Sequence, residues 1–140
     1  MQTLANLLVM SGLLNREQVK SIFETQKETG DTFIKTMIKL GYSTEKKVAK
    51  FLAKYFKTEY IEIDKESIPI PVLNLVSEEM AHKYQLIPYK KVGNMLFIAM
   101  VNPANLNAID DVKFKTGLDV IPVVTTETSL VKTLGQYREA

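Results

Sequence analysis

At 140 residues the chain is one domain, or two small subdomains packed together. Hydrophobic residues make up 46% and charged residues 24%, which is enough apolar mass for a real core, and no run approaches the ~18–20 apolar residues of a membrane span. The absence of cysteine excludes a disulfide scaffold, a thiolate metal site and a cysteine nucleophile, and a single histidine, His82, excludes a His-based zinc cluster.

The net charge of +2 is unevenly spread. Residues 1–57 carry ten Lys/Arg against five Asp/Glu, and residues 58–140 carry eight against eleven, so a basic front (+5) meets a mildly acidic back (−3). The apolar N-terminal run lacks the basic flank and small-residue cleavage site of a signal peptide, so a cytoplasmic home is expected.

The front contains a repeat. "TLANLLVMSGLLNREQVKSIFETQ" (residues 3–26) lies over "TFIKTMIKLGYSTEKKVAKFLAKY" (residues 32–55) at a constant offset of 29. Leu4 meets Phe33, Leu8 meets Met37, Gly12 meets Gly41, Val19 meets Val48 and Phe23 meets Leu52. Apolar residues at helical spacing, a glycine, a polar pair and helical spacing again predict helix, turn, helix, twice over. Gly12 and Gly41 suit the position past a helix end, where φ turns positive. Asn15 with Gln18 predicts a capping box, and Thr44 holds the equivalent place in the second copy. A pair of short helices cannot bury its apolar stripe alone, so the copies are expected to pack into a four-helix layer over residues 1–57.

Residues 58–140 form the second expected subdomain. "YIEID" (Tyr60–Asp64) alternates like a strand, and "SIPIPV" breaks regular structure. "SEEMAHKY" predicts a short helix capped by Ser77. "LIPYKKV" and "MLFIAMV" predict two strands joined at Gly93-Asn94 in a type II′ hairpin. "ANLNAIDDVKFKTG" predicts a helix ended by Gly117. "LDVIPVV" predicts a strand that Pro122 confines to a sheet edge, and "TSLVKTLGQY" predicts a closing helix. The fold class is α+β: a four-helix layer from a duplicated helix-turn-helix unit, then a small antiparallel-sheet subdomain with flanking helices.

These residues resemble a known family. The duplicated pattern is similar to the 24-residue motif R-L-G-x-x-L-V-x-x-G-hydrophobic-hydrophobic-x₄-L-x₃-L-x₂-Q. That motif belongs to the N-terminal domain of type II secretion and type IV pilus assembly ATPases, the GspE N-terminal or MshEN-type domain. Copy one matches at Leu4, Leu8, Val9, Gly12, Leu13, Leu14, Val19, Phe23 and Gln26, and copy two at Phe33, Met37, Ile38, Gly41, Val48 and Leu52. The hairpin, helix and "TG" strand entry that follow resemble the family's later features. The resemblance implies a cyclic-di-GMP surface, half from each copy. Carried over, its positions are Thr3, Leu4, Ala5, Leu8, Gly12, Phe23 and Gln26, then Thr32, Phe33, Ile34, Met37, Gly41, Leu52 and Tyr55, with Asn102 in the family's "D-P" turn. The chemistry-bearing positions differ: the two arginines are Thr3 and Thr32, the glycines after them are Ala5 and Ile34, and the second glutamine is Tyr55. A hydrogen bond to a charged group contributes about 1.5–3 kcal/mol, so losing two arginines costs about 3–6 kcal/mol, on the order of 10² to 10⁴ in affinity. Cyclic-di-GMP binding is therefore expected to be weak or absent, with no other cofactor and no metal.

The remaining features weigh as follows. Lys46, Lys50, Lys54 and Lys57 recur at helical spacing, beside Lys47, as a solvated face or a docking face for an acidic protein surface. Gln26 is read as an exposed helix-end residue and His82 as a surface residue. Asp110 and Asp111 diverge by ~100° on a helix and make a poor catalytic pair. Met10, Met37, Met80, Met95 and Met100 are read as core filler. No G-x₄-G-K-[ST] occurs, so the family's ATPase module is missing from this chain, and no hydrolase or dinucleotide-fold motif replaces it. No aromatic-studded basic strand points to RNA, and no DNA partner is expected. The leading expectation is a non-enzymatic regulatory or docking domain whose partner is a protein of a secretion or pilus machine, touching membrane only through that partner. The competing one is a cyclic-dinucleotide receptor with altered polar contacts.

Overall fold

Local hydrogen-bond chemistry sets the helix boundaries at the front of the chain. The computed structural model describes residues 3–139 and divides into two compact units, Met1–Val48 and Ala49–Ala140. The front helices are α1 (Leu4–Met10), α2 (Arg16–Thr29), α3 (Phe33–Lys39) and α4 (Glu45–Tyr55), the last running from the first unit into the second. Thr3 and Thr32 cap α1 and α3 in the same way, each Oγ1 accepting from the backbone N–H three residues on at 3.2 Å. Asn15 and Gln18 form a reciprocal capping box on α2, and Thr44 accepts from the Lys47 N–H at 3.2 Å. Gly12 and Gly41 follow the helix ends at φ 83° and 78°.

In the first unit, Leu8, Ile22 and Met37 are fully buried, with Leu7, Leu14, Ile34 and Val48 close behind. The Tyr42 hydroxyl donates to Ser21 Oγ at 3.0 Å, tying the turn after α3 to α2. Phe23 and Phe33 pack ring on ring at 5.6 Å.

In the second unit, α5 (Ile70–Leu73) and α6 (Glu78–Tyr84) lead into β1 (Leu86–Val92) and β2 (Met95–Met100). Then come α7 (Leu106–Thr116), β3 (Asp119–Val124), α8 (Glu127–Leu134) and α9 (Gln136–Glu139). Ser77 caps α6 as expected, accepting from the Met80 N–H at 3.1 Å. The hairpin turn has positive φ at Gly93 and not at Asn94, the type II′ pattern. One core holds Leu86, Leu96, Ile98 and Val120 from the sheet with Ile109, Val112 and Leu130 from the helices. The other sheet face covers Ile63, Tyr89, Ala99 and Val123. No helix among the described residues is long and apolar enough to cross a membrane.

Three expectations need correction here. The sheet is mixed, not wholly antiparallel: β1 pairs with β2 antiparallel and β2 with β3 parallel, in the order β1-β2-β3. The cause is α7, a crossover helix that returns the chain to the same sheet end before β3 begins. Tyr60–Asp64 is not a strand. It makes one bridge, Tyr60 to Val124, and winds into a 3₁₀ turn at Ile63–Lys65. Side chains take the amides a ladder would use: the Ile63 N–H donates to Thr125 Oγ1 at 3.4 Å and the Asp64 N–H to Ser129 Oγ at 3.0 Å. The neighbouring strand also carries Pro122, at the sheet edge where its missing N–H is tolerated, with its carbonyl accepting from Thr58 Oγ1 at 2.7 Å. The break over residues 67–72 ends in the short helix α5, which starts directly after Pro69, whose fixed φ suits a helix start.

Candidate functional site

The motif positions sort into caps, core and surface. Thr3 and Thr32, where the family pattern has arginine, spend their hydroxyls on the N-caps of α1 and α3. Ala5 and Ile34, where it has glycine, are buried at 9% and 7% exposure. Leu8, Met37 and Leu52 have no exposure and serve the core, while Leu4 and Phe33 are half-buried. Gly12 and Gly41 face open space, so what they supply is the positive φ, not close approach. Gln26 is half-buried, its amide donating to the Asp31 carbonyl at 3.1 Å across the join between copies. Tyr55 is exposed and packs against Phe51 (tilted, 6.1 Å) and edge-on against Phe56 (5.0 Å). Asn102 turns its own loop, Oδ1 accepting from the Ala104 N–H at 3.0 Å.

Lys46, Lys50, Lys54 and Lys57 are all exposed. None of the ion pairs described involves them. Lys50 Nζ lies 6.0 Å from the Tyr60 ring centre. Lys57 adopts φ 55° just past α4, and the Lys57 N–H to Lys54 carbonyl (3.2 Å) and Thr58 N–H to Ala53 carbonyl (2.9 Å) bonds make a Schellman end. The basic cluster thus includes a residue in a backbone conformation that favours glycine.

Some of the charge elsewhere is paired. Asp31 meets Lys39 at 2.9 Å and Lys35 at 3.7 Å, and the Lys39 hydrogen bond holds its carboxyl below the usual carboxylate range. The Ser129 hydroxyl, which donates to Asp64, does the same there. His82 is exposed beside Glu78 at 3.5 Å. Asp111 accepts from the Tyr84 hydroxyl. Two of the methionines read as core are not: Met10 is 71% exposed and Met95 39%, because each sits at the end of its element, where packing stops. Among the described residues no three His, Asp or Glu side chains gather to hold a metal ion.

One concavity was not foreseen. A cleft of about 440 Å³ opens between α1 and the start of α2, lined by Ala5, Asn6, Val9, Met10, Arg16 and Val19. Arg16 is one of two arginines in the chain. Its repeat counterpart is Glu45, and that reversal of charge between otherwise matched copies was the available signal.

Residues 56–140 match the MshEN domain family. The chain belongs to that family. The match covers the second half, so the duplicated helices precede it. This MshEN chain is 31% identical over 134 residues to the type IV pilus assembly ATPase PilB of Myxococcus xanthus, spanning 96% of the chain but only 24% of that relative's length. Its fold superposes on MshE, solved with cdg, at a TM-score of 0.76 and 27% identity, covering 98% of this chain and 99% of the other. The N-terminal domain of XpsE shares the fold at a TM-score of 0.74 and 18% identity, with 98% of each chain covered. The chain is therefore an MshEN domain whose fold is similar to the N-terminal domain of XpsE.

Proposed function

We propose that this MshEN domain is a non-enzymatic, cytoplasmic docking module that joins a pilus or secretion motor to an acidic protein surface of the same machine. The observation that carries this reading is the run of exposed lysines on α4 and its end, Lys46, Lys50, Lys54 and Lys57, with exposed Tyr55 among them. Unpaired like charges along one helix repel each other, and an acidic partner relieves that repulsion while steering encounter. Tyr55 adds an aromatic anchor of the kind that dominates interface energetics. Membrane contact is indirect in this reading, through the partner.

The test is co-purification with the motor's own platform components at low and moderate salt. Reversing Lys50 and Lys54 to Glu weakens capture and reduces its salt sensitivity. Capture that is unchanged by the reversal rules the α4 face out.

A second reading is a cyclic-di-GMP receptor, favoured by the MshE fold solved with cdg. Threonines spent on caps at positions 3 and 32 leave the motif surface without its cations, so binding there is weak or absent. Titration with cyclic-di-GMP giving a micromolar site sensitive to Gln26→Ala overturns that expectation.

A further inference from the structure

We infer that α7 is the contact face of a weak symmetric dimer, its outer surface covered by α7 of a second copy of this chain. Among the described residues of the second unit, the two most exposed large apolar side chains are Phe114 at 90% and Leu106 at 60%, and both belong to α7. One exposed apolar residue is ordinary on a protein surface. Two on one helix, eight residues and so about 80° apart around its axis, share an outward face. The inward face is already committed, with Ala108, Ile109 and Val112 buried in the core. Asn105 caps the helix, Oδ1 accepting from the Ala108 N–H at 3.2 Å, so the outward face is presented by an element fixed at its start.

Charge selects the occupant. α7 carries its acids first, Asp110 and Asp111, and its bases after them, Lys113 and Lys115. None of the four enters an ion pair described, and Asp111 accepts from the Tyr84 hydroxyl. A helix with that order is complementary to itself when turned end for end. The acidic half of one copy meets the basic half of the other, twice, about a two-fold axis. A uniformly acidic or basic partner meets like charge along one half instead. An axis level with the middle of the Asp110–Lys113 span sets Asp110 opposite Lys113 of the second copy. At about 1.5 Å per residue it also brings the two Phe114 side chains within about 7.5 Å along the helix, on one side of the seam, a gap that rings of this length close. Leu106 then falls beside Gly117 of the second copy, where no side chain obstructs it. Eleven residues make a helix only about 16 Å long, so the contact is smaller than a standard interface and the dimer is weak. Ion pairs between exposed groups add little affinity, so Phe114 supplies the attraction and the charges set the register.

The test is sedimentation velocity of the purified chain from about 10 μM to about 1 mM. It needs no component of the motor, so its outcome is separate from that of the α4 docking reading. The inference expects a reversible monomer–dimer equilibrium with Kd on the order of 0.1 mM. Phe114→Ala weakens it about tenfold or more, with the melting temperature unmoved because the ring lies outside the core. Asp110→Lys and Lys113→Asp each weaken it alone, and their equimolar mixture associates more tightly than either, because the like charges each variant sets against itself become opposite charges between the two. A chain that stays monomeric throughout the range, assembly beyond two copies, association indifferent to Phe114→Ala, or a mixture no tighter than the single variants overturns the inference.

Discussion

Replacing Lys57 with glycine should stabilise the protein, although the residue is a surface lysine with no ion pair described. Its φ of 55° is the left-handed region, which costs an L-residue about 1–2 kcal/mol through the clash of Cβ with the following carbonyl. The two bonds that close α4, at 3.2 and 2.9 Å, hold the residue there. Glycine removes the clash but gives back about 0.5–1 kcal/mol of unfolded-state entropy. The net gain is then about 0.5–1 kcal/mol. With an unfolding entropy near 2.1 cal/mol/K per residue over 140 residues, the midpoint rises by about 2–3 °C. Calorimetry of Lys57→Gly beside Lys57→Ala separates backbone from charge, because alanine keeps the clash and loses the same ammonium. The mirror experiment is Gly41→Ala, which should lose about 0.5–1 kcal/mol net of the entropy alanine returns; a Cβ there meets nothing within 4 Å, so only the φ of 78° opposes it. A Lys57→Gly protein that melts at or below the parent, with Gly41→Ala unaffected, would refute the reasoning. If α4 is the docking face, Lys57→Gly also weakens partner capture, so stability and function move in opposite directions at one residue.

Other outcomes follow from the same structure. Leu8→Ala and Met37→Ala, at motif positions with no exposure, should each cost about 2–5 kcal/mol in denaturant melts, the signature of core residues rather than ligand contacts. Ser43 Oγ is buried without a partner at the place where copy one has the buried Leu14, so Ser43→Ala should raise stability by about 1 kcal/mol in the same assay. Burial, then Glu59 and Glu66, push the Tyr89 hydroxyl up from 10.0 to about 12. The unfolded chain therefore ionises first, stability falls as pH rises from 10 toward 12, and Tyr89→Phe should flatten that slope in pH-dependent melts. The carboxyl of Asp31 is held low by Lys39, so its contribution is present above the unfolded value of 3.8 and lost as pH falls below it; the gap between the parent and Asp31→Asn should close in that acid range.

What could be read from the sequence was set by how far each interaction reaches. The caps at Thr3, Asn15, Thr32, Thr44 and Ser77 act over three residues, so letters a few places apart located the helices. The 60–64 segment failed because its amides are taken by Thr125 and Ser129, 62 and 65 residues away; alternation alone cannot see a hydroxyl arriving from another element. The parallel pairing of β2 and β3 was implicit in the helix between them, and the hairpin signal drew attention from it. The site was harder for a different reason. Aligning two copies rewards agreement, and what agrees between them is the apolar skeleton that any such hairpin needs. Leu8 and Met37 agree and are buried; Arg16 and Glu45 disagree, and Arg16 lines a cleft. In a duplicated fold the shared letters mostly report stability, and a difference that breaks a local preference without destabilising the scaffold is the stronger pointer to a ligand.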